Sequence, residues 1–212
     1  MTLYKDKKTG LWCRPDTLDE YVIREQSSYR ALFELCRNKT VLDIRGNIGA
    51  FAYFALENGA AEVFSFEPDP QNATIYRKQH LKSTLFQEAI SSKTGTSKLF
   101  LNSGKNKGLH SLQKIQGREF IPVMTRSFKQ VLKTYSPEVI KIDIEGGEYN
   151  LNLEELPSYV ESIAIELHLT HGNNREQAVS LIKSLKSQFP NILKAPSVTD
   201  KNWTTLFIGT RR

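Results

Sequence analysis

Apolar residues along this chain fall into two arrangements: short consecutive runs too brief for a helix, and longer stretches where they recur every third or fourth position. The first helical stretch carries Leu18, Tyr21, Val22, Tyr29, Leu32, Phe33 and Cys36 behind a Thr17/Glu20 capping box, and predicts one long amphipathic helix. Thr40-Val41-Leu42-Asp43-Ile44 follows as a strand and runs through the turn Arg45-Gly46-Asn47-Ile48-Gly49 into a helix ending near Asn58. A second strand, Glu62 to Glu67, leads to Asp69, placed to cap a helix with Pro70 in its first turn that ends near His80. Thr84 to Gln87 makes a third strand.

The alternation of strand and helix then breaks. The next stretch is rich in Ser, Thr, Gly and Lys, with strand candidates at Lys98 to Leu101, Leu109 to Leu112 and Phe120 to Met124. It resumes with a helix at Ser127 to Tyr135, a strand at Val139 to Asp143, the turn Ile144-Glu145-Gly146-Gly147-Glu148, and a strand at Ser162 to Leu167. A helix from Asn174 to Gln188 shows one apolar face at Ala178, Val179, Ile182, Leu185 and Phe189. Strands near Ile192 and at Thr204 to Ile208 predict an antiparallel hairpin closing the sheet edge. The whole reads as α/β: a single-domain Rossmann-like fold with a mostly parallel, seven-stranded sheet and helices on both faces.

Composition narrows this picture without changing it. A chain of 212 residues with 39% hydrophobic content fits one domain with a substantial core. No apolar run reaches the roughly 18 residues of a membrane span, and the opening MTLYKDKKTG lacks the apolar centre of a secretory signal, so the expectation is a cytoplasmic protein. Cys13 and Cys36 have neither zinc nor redox spacing and are expected to stay reduced. The Asn-x-Thr triplets at Asn38, Asn72 and Asn202 are then chance matches. The net charge of +6 is scattered, and its densest stretch, Lys93 to Arg118, reads as a solvated loop.

In an open α/β sheet, ligands bind beyond the carboxyl ends of the strands, where strand order reverses. The residues at those ends are mostly acids: Asp43, Glu67, Glu88, Asp143, Glu145 and Glu166, with His168. Asp43 precedes Glu67 by 24 positions, the separation of a nucleoside-binding βαβ unit whose second acid holds ribose hydroxyls. The turn does not read G-x-G-x-x-G, and a carboxylate at the first strand end suits a cationic methionyl amine and sulfonium better than a pyrophosphate. The plainer alternative is that Asp43 only caps its turn and Glu67 is exposed.

The blocks VLDIRGNIGAF (Val41 to Phe51), FSFEPDP (Phe64 to Pro70), IKIDIEGGEY (Ile140 to Tyr149) and AIELH (Ala164 to His168) resemble the FkbM-type methyltransferases, and Glu88 to Phe100 is similar to that family's middle region. The resemblance implies a class I methyltransferase fold, S-adenosylmethionine as methyl donor, and transfer to a hydroxyl oxygen, often on a sugar or specialised metabolite. It implies a cofactor-binding set of Asp43, Arg45, Gly46, Asn47, Gly49, Phe51, Glu67, Pro68, Gln87, Glu88, Ala89 and Asp143. Residues 1–39 are then an N-terminal extension and helix packing on the core, and 40–212 the methyltransferase domain. The family pattern Asp-x-Gly-x-Asn-x-Gly is broken once, by Arg45 at the first glycine. Arg45 either swings out, reaches the methionyl carboxylate, or weakens cofactor binding.

Methyl transfer to a hydroxyl needs an in-line approach and a base. The candidate catalytic residues are Asp143 near the methyl and Glu166 or His168 as base, with Glu145 and Glu148 shaping the pocket. Lys141, inside an apolar strand, is expected to pair with a neighbouring acid. Glu166, His168 and His171 do not have a recognised ligand spacing, so no metal is expected. The Gly108 to Ser111 segment either touches substrate through His110 and Ser111 or is an exposed hairpin, and Glu25 and Tyr29 are placed to cover the cofactor. Two rival readings are RNA ribose methylation, which requires a basic groove with stacking aromatics, and a non-catalytic binding protein that keeps the fold. A nicotinamide oxidoreductase ranks last, for want of its glycine pattern.

Overall fold

The computed structural model of the protein describes residues 2–105, 109–114, 116–169, 174–199 and 203–212. A small antiparallel pair, β1 (Tyr4–Lys5) and β2 (Trp12–Cys13), precedes helix α1 (Asp19–Glu25), a 3-10 turn (Gln26–Tyr29) and helix α2 (Arg30–Phe33). The single long helix expected here is thus broken, and the Thr17/Glu20 capping box does not form. Leu18 is the N-cap, Thr17 Oγ1 donates to Arg14 O at 3.0 Å, and Asp19 is held by buried Arg14 at 2.7 Å. Arg14 also donates to Asn72 Oδ1 at 2.9 Å, which ties the N-terminal segment to the helix carrying Asn72.

The strands then follow in the predicted order. They are β3 (Thr40–Ile44), β4 (Glu62–Phe66) and β5 (Thr84–Phe86), separated by α3 (Ala50–Glu57) and α4 (Pro70–Lys78). Asp69 caps α4 by accepting from Gln71 N at 3.0 Å, with Pro70 in the first turn, as expected. Next come β6 (Ala89–Ser91), β7 (Gly95–Phe100), β8 (Phe120–Ser127) and α5 (Phe128–Tyr135). The chain ends with β9 (Val139–Ile142), a 3-10 turn (Gly147–Asn150), β10 (Ser162–His168), α6 (Asn174–Gln188), β11 (Asn191–Lys194) and β12 (Thr204–Thr210).

The main sheet has seven strands in the order β11-β12-β10-β9-β3-β4-β5. Its central pairings are parallel, while β12 lies antiparallel between β10 and β11. Side-chain alternation splits the core between two faces. Leu42, Ile44, Phe66, Ile140, Ile142, Ile163 and Ile165 pack under α5 and α6, and Val41, Val63, Val139 and Ala164 pack under α2 and α3. Each fully buried Leu, Ile or Phe contributes about 1.5–3 kcal/mol of transfer free energy. The interruption in the middle is a separate sheet of order β6-β8-β7. Leu109 to Leu112 is not a strand; it makes one bridge, Phe100 to Ser111. Among the described residues no helix is long and apolar enough to cross a membrane.

Candidate active site

Strand order reverses between β3 and β9, and their carboxyl ends open into a cavity of about 240 Å³. The turn after β3 forms its floor. Gly49 is the N-cap of α3 at φ +91°, and a Cβ on Gly46 would meet Tyr76 at 3.0 Å and Ser65 at 3.1 Å, so both positions need glycine. Arg45 and Asn47 hold the left-handed region at φ +75° and +49°, as Glu145 does after β9 at +51°. Such backbone costs of order 1–2 kcal/mol per non-glycine residue, and here it gathers around one cavity.

Asp43 lies beneath the turn, fully buried and away from the cavity surface. Ser65 Oγ donates to its Oδ2 at 3.1 Å and Lys141 Nζ stands 3.3 Å from its Oδ1, the ion pair expected for Lys141. Burial pushes the Asp43 carboxyl up, against the opposing pull of Lys141. Glu67 is buried too, not exposed: its two oxygens accept from Asn47 N and Asp69 N at 2.8 Å each. Burial, only partly countered by Arg45, pushes Glu67 up to about 7. Glu67 and Pro68 line a second cavity, of about 30 Å³, with Ala89 from the small sheet and with His110. His110 is no exposed hairpin tip: Nε2 meets Asp69 Oδ2 at 3.2 Å and Nδ1 accepts from Asn102 N at 2.8 Å. Gly108, earlier in that segment, lies outside the described residues, as does His171.

Arg45 lines both cavities. Its Nη1 donates to Asp143 O and Oδ1 at 3.2 Å and to Glu145 Oε1 at 3.0 Å. Burial alone would lower its pKa; Glu145, Asp143 and Glu67 outweigh it and raise it. Its Nη2 and the Oδ1 of Asn47 are buried without a hydrogen-bond partner. His168 ends β10 between two carboxylates, Nε2 at 3.2 Å from Glu145 Oε2 and Nδ1 at 3.2 Å from Glu148 Oε1. Burial opposes charge on this imidazole, yet Glu145 and Glu148 raise it well above the ordinary histidine range. Glu145 is held down at about 2 despite burial, by Arg45 and His168.

Glu166 faces the 240 Å³ cavity on the same side of β10 as His168. No cation pairs with it among the described residues; Tyr29 Oη donates to it at 3.4 Å. Burial first, then Asp143, push its carboxyl up to about 7. Glu25 and Tyr29 close the cavity from the N-terminal helices, and Phe51 and Thr204 complete its wall. Asp143, Glu145 and His168 bring ligand atoms within 4.8 Å of one another, as a metal site would, but Arg45 and Glu148 already engage them. Gln87 and Glu88 stand outside both cavities, bonded to Arg77 at 3.0 Å and to Arg126 at 2.6 Å. Thr204 gave no sequence signal: the antiparallel register sets it opposite His168. Ser111 lines neither cavity; its Oγ donates to the backbone Glu145 O at 2.8 Å.

The family model described as the methyltransferase FkbM domain matches residues 43–194. The chain belongs to the FkbM methyltransferase family. The match runs from Asp43 to the end of β11 and takes in Arg45, Asp143, Glu145, Glu166 and His168, while Glu25, Tyr29 and Thr204 of the same cavity wall lie outside it. No curated protein sequence matches the chain. Among solved structures, this FkbM domain is similar to an FkbM methyltransferase from Methylobacillus flagellatus KT, with 16% identity and a TM-score of 0.48. The alignment covers 80% of the chain but only 43% of that protein's length. It is also similar to the C-terminal domain of precorrin-6Y C5,15-methyltransferase from Rhodobacter capsulatus, with 12% identity, a TM-score of 0.50 and 89% of each chain covered. At that identity the likeness is one of fold, the class I methyltransferase architecture.

Proposed function

We propose that this FkbM domain transfers a methyl group from S-adenosylmethionine to a hydroxyl of a sugar or small metabolite, with Glu166 as general base. The observation that carries the proposal is Glu166 itself: a carboxylate facing the cavity, without a cationic partner, and pushed up to about 7. A base is most effective when its pKa lies near the working pH. Bound in the cleft, the donor supplies a methyl group already activated on a sulfonium.

In kind, the cleft's polar groups fit that donor. Carboxylates of Asp143 and Glu145 suit a cation, the Gly46 and Gly49 turn brings backbone close, and Asn47 Oδ1 is a buried acceptor without a donor. Asn47, Phe51, Asp143 and, at the smaller cavity, Glu67, Pro68 and Ala89 would hold it. Room for it requires Arg45 to leave its present partners.

The acceptor's hydroxyl would lie against Glu166, whose carboxylate takes the proton as the oxygen becomes nucleophilic. Tyr29 orients that carboxylate through its 3.4 Å contact. His168, held as a cation by Glu145 and Glu148, is a positioning residue and not the base. We take residues 1–39 as an extension whose helices wall the acceptor pocket, and the domain as cytosolic, in keeping with its two buried free thiols. The cavity wall sets Arg45, Lys141 and His168 against four carboxylates, from Glu25, Asp143, Glu145 and Glu166, and so offers no cationic excess to a polyphosphate chain, which ranks RNA below a neutral acceptor.

The test is uptake of a labelled methyl group across a panel of monosaccharides, glycosides and RNA. Transfer to a neutral acceptor is expected. Its kcat/KM should rise with pH through an apparent pKa near 7, because Glu166 acts only when ionised. Glu166→Gln is expected to lower kcat by about 10²–10⁴-fold and to abolish that limb. Full activity in Glu166→Gln would refute the assignment.

A further inference from the structure

Arg45 stands where the family pattern has glycine, and its backbone lies at φ +75°, in the left-handed region that favours glycine. Its side chain crosses from the end of β3 to the end of β9. Its guanidinium, in a residue 8% exposed, binds two of the four acids that line the larger cavity, Asp143 at 3.2 Å and Glu145 at 3.0 Å. It also stands between the two cavities, and the smaller, beside Glu67, holds only about 30 Å³. A site for a nucleoside-sized ligand measures roughly 300–1,000 Å³.

We infer that Arg45 stands in the cation's place on Asp143 and Glu145, an internal competitor that the methyl donor must displace to occupy the cleft. The inference rests on the reading of this cleft as an S-adenosylmethionine site. Two consequences follow from separate properties of the side chain. Its bulk excludes the donor and its demethylated product alike. Its charge opposes the sulfonium donor but not the neutral thioether product, so the wild-type cleft favours S-adenosylhomocysteine over S-adenosylmethionine.

The experiment is titration calorimetry of S-adenosylmethionine and S-adenosylhomocysteine into the wild type, Arg45→Gly and Arg45→Gln, with a thermal melt of each. Arg45→Gly is expected to bind both ligands at least about tenfold tighter, with the larger gain for the cationic donor. Arg45→Gln keeps the bulk without the charge, and is expected to shift the ratio of the two affinities toward the donor. If Arg45→Gly fails to show a cooperative melt, that ratio in Arg45→Gln decides. Wild type binding the donor as tightly as Arg45→Gly, or a ratio unmoved in Arg45→Gln, would overturn the inference and leave the cofactor reading standing. No binding of either ligand by folded variants would overturn both.

Discussion

Replacing Lys141 by Met tests the electrostatic frame on which the site is built. Lys141 and Asp43 are register partners on neighbouring parallel strands, 4% and 0% exposed. The ammonium donates to Arg45 O at 2.9 Å, approaches Ile44 O at 3.5 Å, and meets Asp43 Oδ1 at 3.3 Å and Asp143 Oδ2 at 3.8 Å. Met keeps most of the volume and removes every one of these contacts. Asp43 is then a buried carboxylate with only the Ser65 hydroxyl, and breaking a buried pair from one side costs about 3–5 kcal/mol. That is a large part of the 5–15 kcal/mol that stabilises an ordinary domain. Burial already holds Asp43 above its ordinary 3.8, and losing Lys141 raises it further. A carboxyl whose folded pKa exceeds its unfolded value favours folding while protonated, and the penalty grows as pH climbs from the unfolded value toward the folded one. Urea unfolding, followed by tryptophan fluorescence, should therefore show a smaller deficit at pH 5 than at pH 7. Asp43→Asn added to Lys141→Met should restore all but ~1–2 kcal/mol at pH 7, the residue being the unpaired Arg45 carbonyl. A Lys141→Met protein within about 1 kcal/mol of wild type at pH 7, or no recovery in the double variant, would refute the reasoning.

Gly209→Ala would place a Cβ 2.8 Å from the Phe207 ring and 2.9 Å from Phe189 Cβ, and should cost about 1–3 kcal/mol in urea; an unmoved midpoint would show that both rings can yield. Glu148→Gln removes one of the two carboxylates that keep His168 charged, so the imidazole's NMR titration should move down toward the ordinary histidine range, and an unchanged curve would deny that contact its effect. His110→Ala breaks the links to Asp69 and to Asn102 N that pin the insert over the smaller cavity. It should cost ~1–2 kcal/mol and speed amide exchange at Asn102 and Ser111, whereas protection at wild-type level would mean that the insert is held elsewhere.

The order of strands and helices was legible because the central strands β3, β9 and β10 are buried on both faces and so appear as mostly apolar runs. Strand-end acids were legible for the same reason: a carboxylate closing such a run has few other places to be. Legibility fails where a local signal competes with a distant partner. Thr17 and Glu20 match a capping box, but the buried Arg14–Asp19 pair fixes the chain there and Leu18 becomes the cap. Beyond Tyr29 the helical period is real, yet the chain tightens into a 3-10 turn at Gln26–Tyr29, which sets Tyr29 edge-on to Phe51 at 5.7 Å. Thr204 reaches the cavity only through its pairing with His168, and Gln87 and Glu88, read as cofactor neighbours, are drawn off by Arg77 and Arg126. Neither arrangement is written in local sequence.

The charges around the cleft form a nearly closed account once each cation is assigned. Lys141 answers Asp43, Arg45 answers Asp143 and Glu145, and His168 is divided between Glu145 and Glu148. Glu25 and Glu166 remain, both facing the larger cavity and both pushed up, by burial first and then by Asp143. The more distant pull of Lys141 and Arg45 on Glu25, and of His168 on Glu166, does not offset that burial. A cation entering the cleft would thus find Asp143 and Glu145 already answered, and a hydroxyl entering it would find a carboxylate ready to accept a proton. Arg45 is the hinge between these two facts, because displacing it frees two acids for a sulfonium while leaving untouched the Tyr29 contact that holds Glu166.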